Sequence, residues 1–312
     1  MNHLLLALAL LTSTALSATA AAAADKPIVY NPISGETTAI NQQVSNALAP
    51  QCILIDLRDS ADYVQPKPTA GSLPRVARAP TGEYIGGYVL IAYVVTAAGQ
   101  VGSPTVLKTD DARLDATALQ AMSEWRFTPA TLKGVPISST SAQEFHFEAP
   151  PTEFVQQVLE PTGGKITKPK DWFYSEAHQG PKYEWAITRE DMTGGKPYTT
   201  GVRIQSFTGI KEGAGKTAQQ FILDFVAKKK LEPGVKVIKS CGSEDQGLFT
   251  RTCLEIEEGP YHVLYSLFWG SQDMDVAVVM IAGTLKEMWP VYYPAFDKMR
   301  SFEFIDVKRF EK

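Results

Sequence analysis

Residues 87–147 constrain this chain more tightly than any other stretch. An apolar run at 88–95 meets a short turn, Ala97-Ala98-Gly99-Gln100, and a second run follows at 101–107. Glycine in a four-residue connection between two strand-like runs is a hairpin signal. Leu114, Ala118, Ala121 or Met122, and Trp125 then recur at three- and four-residue spacing, which is one face of a helix. Asp110 and Asp111 precede that face, and Asp115 falls in or near its first turn, where a carboxylate accepts orphan N–H groups and suits the helix dipole. Pro129 is expected to stop the helix. Gln143, Phe145 and Phe147 then alternate with Glu144, His146 and Glu148, the period of a strand. The order is strand, strand, helix, strand.

The first of these strands is apolar on both faces. Val89, Ile91, Tyr93 and Val95 point one way; Tyr88, Leu90, Ala92 and Val94 point the other. A sheet with a helix on one side only shows polar alternation on its open face. Something therefore covers the second face: the N-terminal helix and strand, the second half of the chain, or a second subunit in a homodimer.

The segment resembles the C-terminal domain of TonB. The pieces that carry the resemblance are Leu114-Asp115, Ala118, Ala121, Trp125-Arg126-Phe127, Pro129-Ala130 and Gly134-Val135-Pro136, in the family's order and spacing. After the second strand, where the family has a Ser-Gly pair, this chain has Thr109-Asp110. The resemblance implies a small antiparallel sheet with helices. It transfers no catalytic residue, and a fold of this kind does not by itself define a job.

A length of 312 residues suits two domains at roughly 100–200 residues each. A net charge of -4 gives no electrostatic reason to expect nucleic acid or anionic lipid. The N-terminus has an apolar core at 4–11 and a small-residue tract at 18–24. It reads as a signal peptide, residues 1–24, with export to the periplasm. The competing reading is an uncleaved anchor, but the apolar core is short for a span of about 20 residues. No later run is long enough to cross a bilayer, so no transmembrane segment is expected in the mature chain.

The rest divides into a first domain at 25–148, a linker at 149–163 around Pro150-Pro151, and a second domain at 164–312. In the first, residues 25–35 read as irregular. Thr38 opens a short helix with Ile40, Val44 and Leu48, and Pro50 ends it. Residues 52–57 read as a strand, and 63–82, rich in proline, as a loop. In the second, strands are expected at 183–188, 202–207, 235–239, 248–256, 262–269 and 276–282. Thr217 and Gln220 have capping-box spacing ahead of a helix at 217–230, and Met288, Tyr292, Phe296 and Met299 mark a closing helix. Strands between two helices argue for an α+β layer fold with an antiparallel sheet. This half is similar to the PsbP family through Ile166, Pro169 and Trp172, the helix after Gly215-Lys216-Thr217, and Met299-Arg300-Ser301-Phe302. That resemblance implies an α-β-α sandwich serving as a binding or assembly module.

Cys241 and Cys253 flank a turn-rich stretch between strand-like runs, and in an oxidising compartment they are expected to form a disulfide. The other arrangement is two buried free thiols. Cys52, in an apolar strand, reads as a buried thiol. Gly213-Ala214-Gly215-Lys216-Thr217 falls short of a phosphate loop, since Ile210 stands where the first glycine is needed. His3, His146, His178 and His262 have no metal-ligand spacing, so no cofactor or metal is expected. Aromatic side chains crowd the second half, and most read as core.

These readings converge on an exported, non-enzymatic envelope protein that acts as a protein-binding or scaffolding module. Its partner would be another envelope protein or an extended peptide added to an open strand edge. The strand offered for that edge is 139–147, with Ser141, Gln143, Phe145 and Phe147. Two other classes stay open: a periplasmic carrier of a small apolar ligand or lipid, and a hydrolase whose residues converge only in three dimensions.

Overall fold

The N-terminal stretch expected to be irregular contains a strand. The computed structural model describes residues 26–33, 38–58, 61–180, 182–271 and 274–309, and the expected signal segment lies outside them. Strand β1 (Ile28–Ile33) leads through helix α1 (Thr38–Leu48) to strand β2 (Ile53–Arg58). β1 and β2 are parallel, as a strand-helix-strand connection allows. Pro32 hides β1 from a sequence reading, yet Val29 and Asn31 are both fully buried.

The proline-rich loop also holds strands. β3 (Tyr63–Val64) and β4 (Lys67–Ala70) precede β5 (Gly87–Val95) and β6 (Val101–Thr109). The β5–β6 turn needs glycine: Gly99 sits at φ +77°, and a Cβ there would collide with the Phe127 carbonyl. A 3-10 turn capped by Asp111 enters α2 (Asp115–Ser123), whose Leu114, Ala118 and Met122 side are buried as the spacing predicts. α2 ends well before Pro129. Trp125 lies beyond it, and β7 (Arg126–Thr128) instead pairs with β4. β8 (Ala130–Leu132), β9 (Val135–Ile137) and β10 (Ser139–Phe147) follow.

The main sheet of this part runs β2-β1-β10-β5-β6. β1 is parallel to β10 as well as to β2, so the sheet is mixed rather than purely antiparallel. Val44 and Leu48 of α1 form one core cluster with Val29, Cys52, Ala92 and Val94. That cluster covers part of the second apolar face of β5, as the strand's two-sided pattern requires. Ile40 of α1, expected inside, is 45% exposed.

Residues 149–153 carry no regular structure. The rest of the expected linker does: β11 (Phe154–Leu159) pairs with β12 (Gly163–Pro169). β13 (Phe173–Glu176), β14 (Lys182–Thr188) and β15 (Gly201–Thr208) follow. After a short helix α3 (Ile210–Ala214), Thr217 closes a capping box with Gln220 at the start of α4 (Ala218–Lys230). Then come β16 (Val235–Ser240), β17 (Glu244–Asp245), β18 (Phe249–Glu258), β19 (Tyr261–Gly270) and β20 (Val276–Leu285). Helix α5 (Trp289–Met299) and β21 (Glu303–Ile305) follow, and a 3-10 turn (Val307–Arg309) ends the described chain.

An antiparallel sheet in the order β13-β14-β15-β20-β19-β18-β16, with β17 attached to β18, forms the middle layer of this half. One face packs on α5 through Trp185, Ile204, Met280 and Phe296. The other packs on α4 through Ile222, Leu254, Leu267 and Val279. This is the expected α-β-α layering. By internal contact the chain falls into two units that do not follow chain order: residues up to Ala70 with Ala92–Leu107 and Ser123–Ala142, and Gly71–Ile91 with Lys108–Met122 and Gln143–Lys312.

Candidate functional site

The strand offered to a partner from sequence, β10, is not outermost. It lies between β1 and β5, and β1 meets it at Tyr30 opposite Ser139. Phe145 and Phe147 are buried, at 0% and 4% exposure. Ser141 and Gln143 are half-buried. The reason is long-range and leaves no local trace: Asn31 and Thr140, which bridge the two strands, are 109 residues apart.

The outermost strands are β2 and β6. β6 carries Pro104, which has no N–H to donate, and Ser103 at φ 50°. A proline and a left-handed residue blunt an edge against further pairing. β2 has neither, and its register to β1 is unbroken from Ile28↔Ile53 to Ile33↔Arg58.

Directly opposed residues share a face of the sheet. Ile28 pairs with Ile53, Tyr30 with Ile55, and Pro32 with Leu57, so six apolar residues line one face of the β1–β2 pair. Ile28, Ile53 and Ile55 are 55%, 52% and 40% exposed. The opposite face holds the core. There Asn31 Nδ2 donates to Ser45 Oγ at 2.8 Å and to Asp56 Oδ1 at 3.1 Å, and Thr140 Oγ1 donates to Asn31 Oδ1 at 2.7 Å. One buried amide thus ties β1 to α1, β2 and β10, and fixes which face of β2 looks outward. The pattern Ile53-Leu54-Ile55 was visible in sequence. That Ile28, Ile53 and Ile55 stay exposed among the described residues was not.

Among the other expected sites, Cys241 and Cys253 form a disulfide with Cα atoms 4.9 Å apart. Cys52 is free and buried; burial pushes its thiol up, and Sγ donates to the Leu48 carbonyl. His262 lies 2.7 Å from Glu255 and stacks on Trp289 at 4.0 Å. His178 neighbours Glu176 at 3.4 Å, and exposed His146 pairs with Glu144. Among the described residues no three His, Cys, Asp or Glu side chains converge on one point. Gly215, at φ 64°, ends α3 ahead of the Thr217 cap.

The aromatic side chains of the second half are mostly core, with Trp185 fully buried. Some line an apolar groove of about 240 Å³ formed by Leu248, Phe249, Phe268, Phe302, Phe304 and Ile305. Arg251 Nη2 is buried without a hydrogen-bond partner, and its guanidinium carbon lies 5.9 Å from the Phe268 ring centre.

Residues 74–149 match the family model of the Gram-negative bacterial TonB protein C-terminal. Among solved structures, the chain is similar to cyanobacterial PsbP (CyanoP) from Synechocystis sp. PCC 6803, at 13% identity over 48% of this chain and 91% of that one, with a TM-score of 0.33. It is also similar to the TonB CTD of Pseudomonas aeruginosa, at 25% identity over 30% of this chain and 94% of that one, with a TM-score of 0.23. The family match falls on the segment that carries the TonB-type residues. No curated protein matches the chain. Residues 26–58, which carry the exposed isoleucine face, precede the family match.

Proposed function

We propose that this chain is an exported, non-enzymatic envelope protein that works by contact, binding an extended segment of another envelope protein along β2. The carrying observation is an outermost strand with unbroken register whose outward face shows Ile53 and Ile55 beside Ile28. An added strand gains main-chain hydrogen bonds from the edge, and alternate side chains meet the apolar face. The TonB-type match at residues 74–149 supports a role in envelope protein interactions. Chemical cross-linking in envelope extract with the intact chain tests the reading. Captured proteins should disappear with Ile53→Lys/Ile55→Lys and persist with Thr105→Lys on β6. An unchanged set with the β2 variant would sink it. Self-cross-linking alone would assign the face to a homodimer.

A second reading is favoured by the apolar groove beside Arg251: carriage of a small apolar ligand. At about 240 Å³ the groove is below the roughly 300–1,000 Å³ of drug-sized sites, which limits it to a short chain or a single ring. Native mass spectrometry of the purified chain should then show a co-purified ligand, lost with Phe268→Asp. Bare protein from several preparations would remove this reading.

A further inference from the structure

We propose that the corner where α4 ends and β16 begins docks on an anionic lipid surface. α4 closes on Lys228, Lys229 and Lys230, whose charges suit the negative end of the helix dipole. Leu231 follows and is 84% exposed, the largest value for a big apolar side chain among the described residues. Pro233-Gly234 turns the chain into β16, where every residue after Val235 is exposed. Val237 lies opposite Ile256 and Lys239 opposite Glu255, so Ile238 is the extra residue of a bulge. The bulge leaves Val237 and Ile238 both in solvent, although neighbours on a regular strand point to opposite faces.

Lys228, Lys229, Lys230, Lys236 and Lys239 stand among four carboxylates, Glu232, Glu255, Glu257 and Glu258, and Glu255, opposite Lys239, lies 2.7 Å from His262. Lys229 holds Glu232 at 2.6 Å and Glu258 at 2.8 Å, and Lys236 holds Glu257 at 3.3 Å. Among the described residues no carboxylate lies within ion-pair reach of Lys228, Lys230 or Lys239. Lys230 donates to Ser240 Oγ at 2.8 Å. A chain of net charge -4 therefore gathers uncommitted cations around exposed aliphatic side chains. Anionic leaflets attract such a surface through charge, and its apolar side chains enter the headgroup boundary. Lysine with aliphatic residues is the wrong composition for a protein hot spot, which favours Trp, Tyr and Arg and is poor in Lys. Lysines and a bulge also discourage strand addition at β16. The Cys241–Cys253 disulfide follows β16 directly and anchors it to β18.

Flotation of the intact chain with phosphatidylglycerol–phosphatidylcholine vesicles, against phosphatidylcholine alone, tests this. Binding is expected to the anionic vesicles only, and to fall steeply between about 0.1 M and about 1 M salt as the screening length shrinks from about 10 Å to about 3 Å. Lys228→Gln/Lys239→Gln should weaken it roughly 25-fold, since each lysine near such a surface is worth about fivefold. Leu231→Asp should abolish it, with melting followed by circular dichroism to confirm folding. Ile55→Lys, which disables the proposed protein-binding edge, should leave vesicle binding intact. No binding by the wild-type chain, equal binding to neutral vesicles, or affinity unchanged in the corner variants would each overturn the proposal. Capture of an acidic protein through the corner, without vesicle binding, would overturn it in favour of that protein.

Discussion

β2 and β16 are both terminal strands showing aliphatic side chains to solvent, and they differ in what decides who can join them. β2 is unbroken in register, with no proline and no lysine. β16 carries Lys236 and Lys239, breaks register at Ile238, and is held at its far end by sulfur. On our proposal the first edge is open to another strand, whereas lysines and a bulge discourage one at the second. Exposed apolar area alone therefore does not define a partner. The order of the main-chain donors and acceptors beside it, and the charges around it, do.

The largest expected effect separates how the two strands are held. Cys241→Ser/Cys253→Ser should lower stability by about 3 kcal/mol on chain-entropy reasoning for a short loop. Denaturant unfolding measures the loss, and hydrogen exchange should show it across the sheet that holds β16 and leave β2 amides unchanged. Equal loosening of both strands would break the comparison. Next, Asn31→Ala should cost about 2 kcal/mol, because Ser45, Asp56 and Thr140 lose a shared buried partner. A change under about 0.5 kcal/mol, the usual range for surface positions, would show that the amide does not hold β2.

Ile53→Lys/Ile55→Lys should move stability by no more than about 0.5 kcal/mol per site, while removing cross-linked partners. A large loss of stability would mean that the isoleucine face is covered within the chain. The smallest effect concerns pH. Burial opposes the charge on Lys229, but hydrogen bonds to Glu232 and Glu258 outweigh it and raise the folded pKa. A cation whose folded pKa is raised stabilises fully below the unfolded lysine value, and that contribution fades as pH rises through the folded one. Thermal melts should therefore show no Lys229-linked change between neutral pH and the ordinary lysine range. Above it, wild type should lose stability that Lys229→Met has already lost.

What could be read from the residues follows the range of the forces involved. The capping box of Thr217 and Gln220, the α2 face through Met122, and the order of elements from β14 to α5 are local patterns, and the structure has them. The two-sided apolar pattern of β5 implied a cover, part of which is α1. The misses are long-range. β4 and β7 pair across a proline-rich stretch whose composition reads as loop. β1 lies beside β10 through a bridge that joins distant segments. Neither outer surface was legible, because alternation reports two faces of a strand and not whether either is covered. At β16 the overall charge pointed away from the lysine cluster that the turn at Pro233-Gly234 assembles.

The parallel register of β1 and β2 sets a vocabulary for anything laid along that edge. Isoleucines on one strand recur at every second residue, a repeat of roughly 6.6 Å. Such a ruler measures interval and is indifferent to which bulky side chain falls on each mark. Guests would share a cadence rather than a motif, and one host could serve several of them.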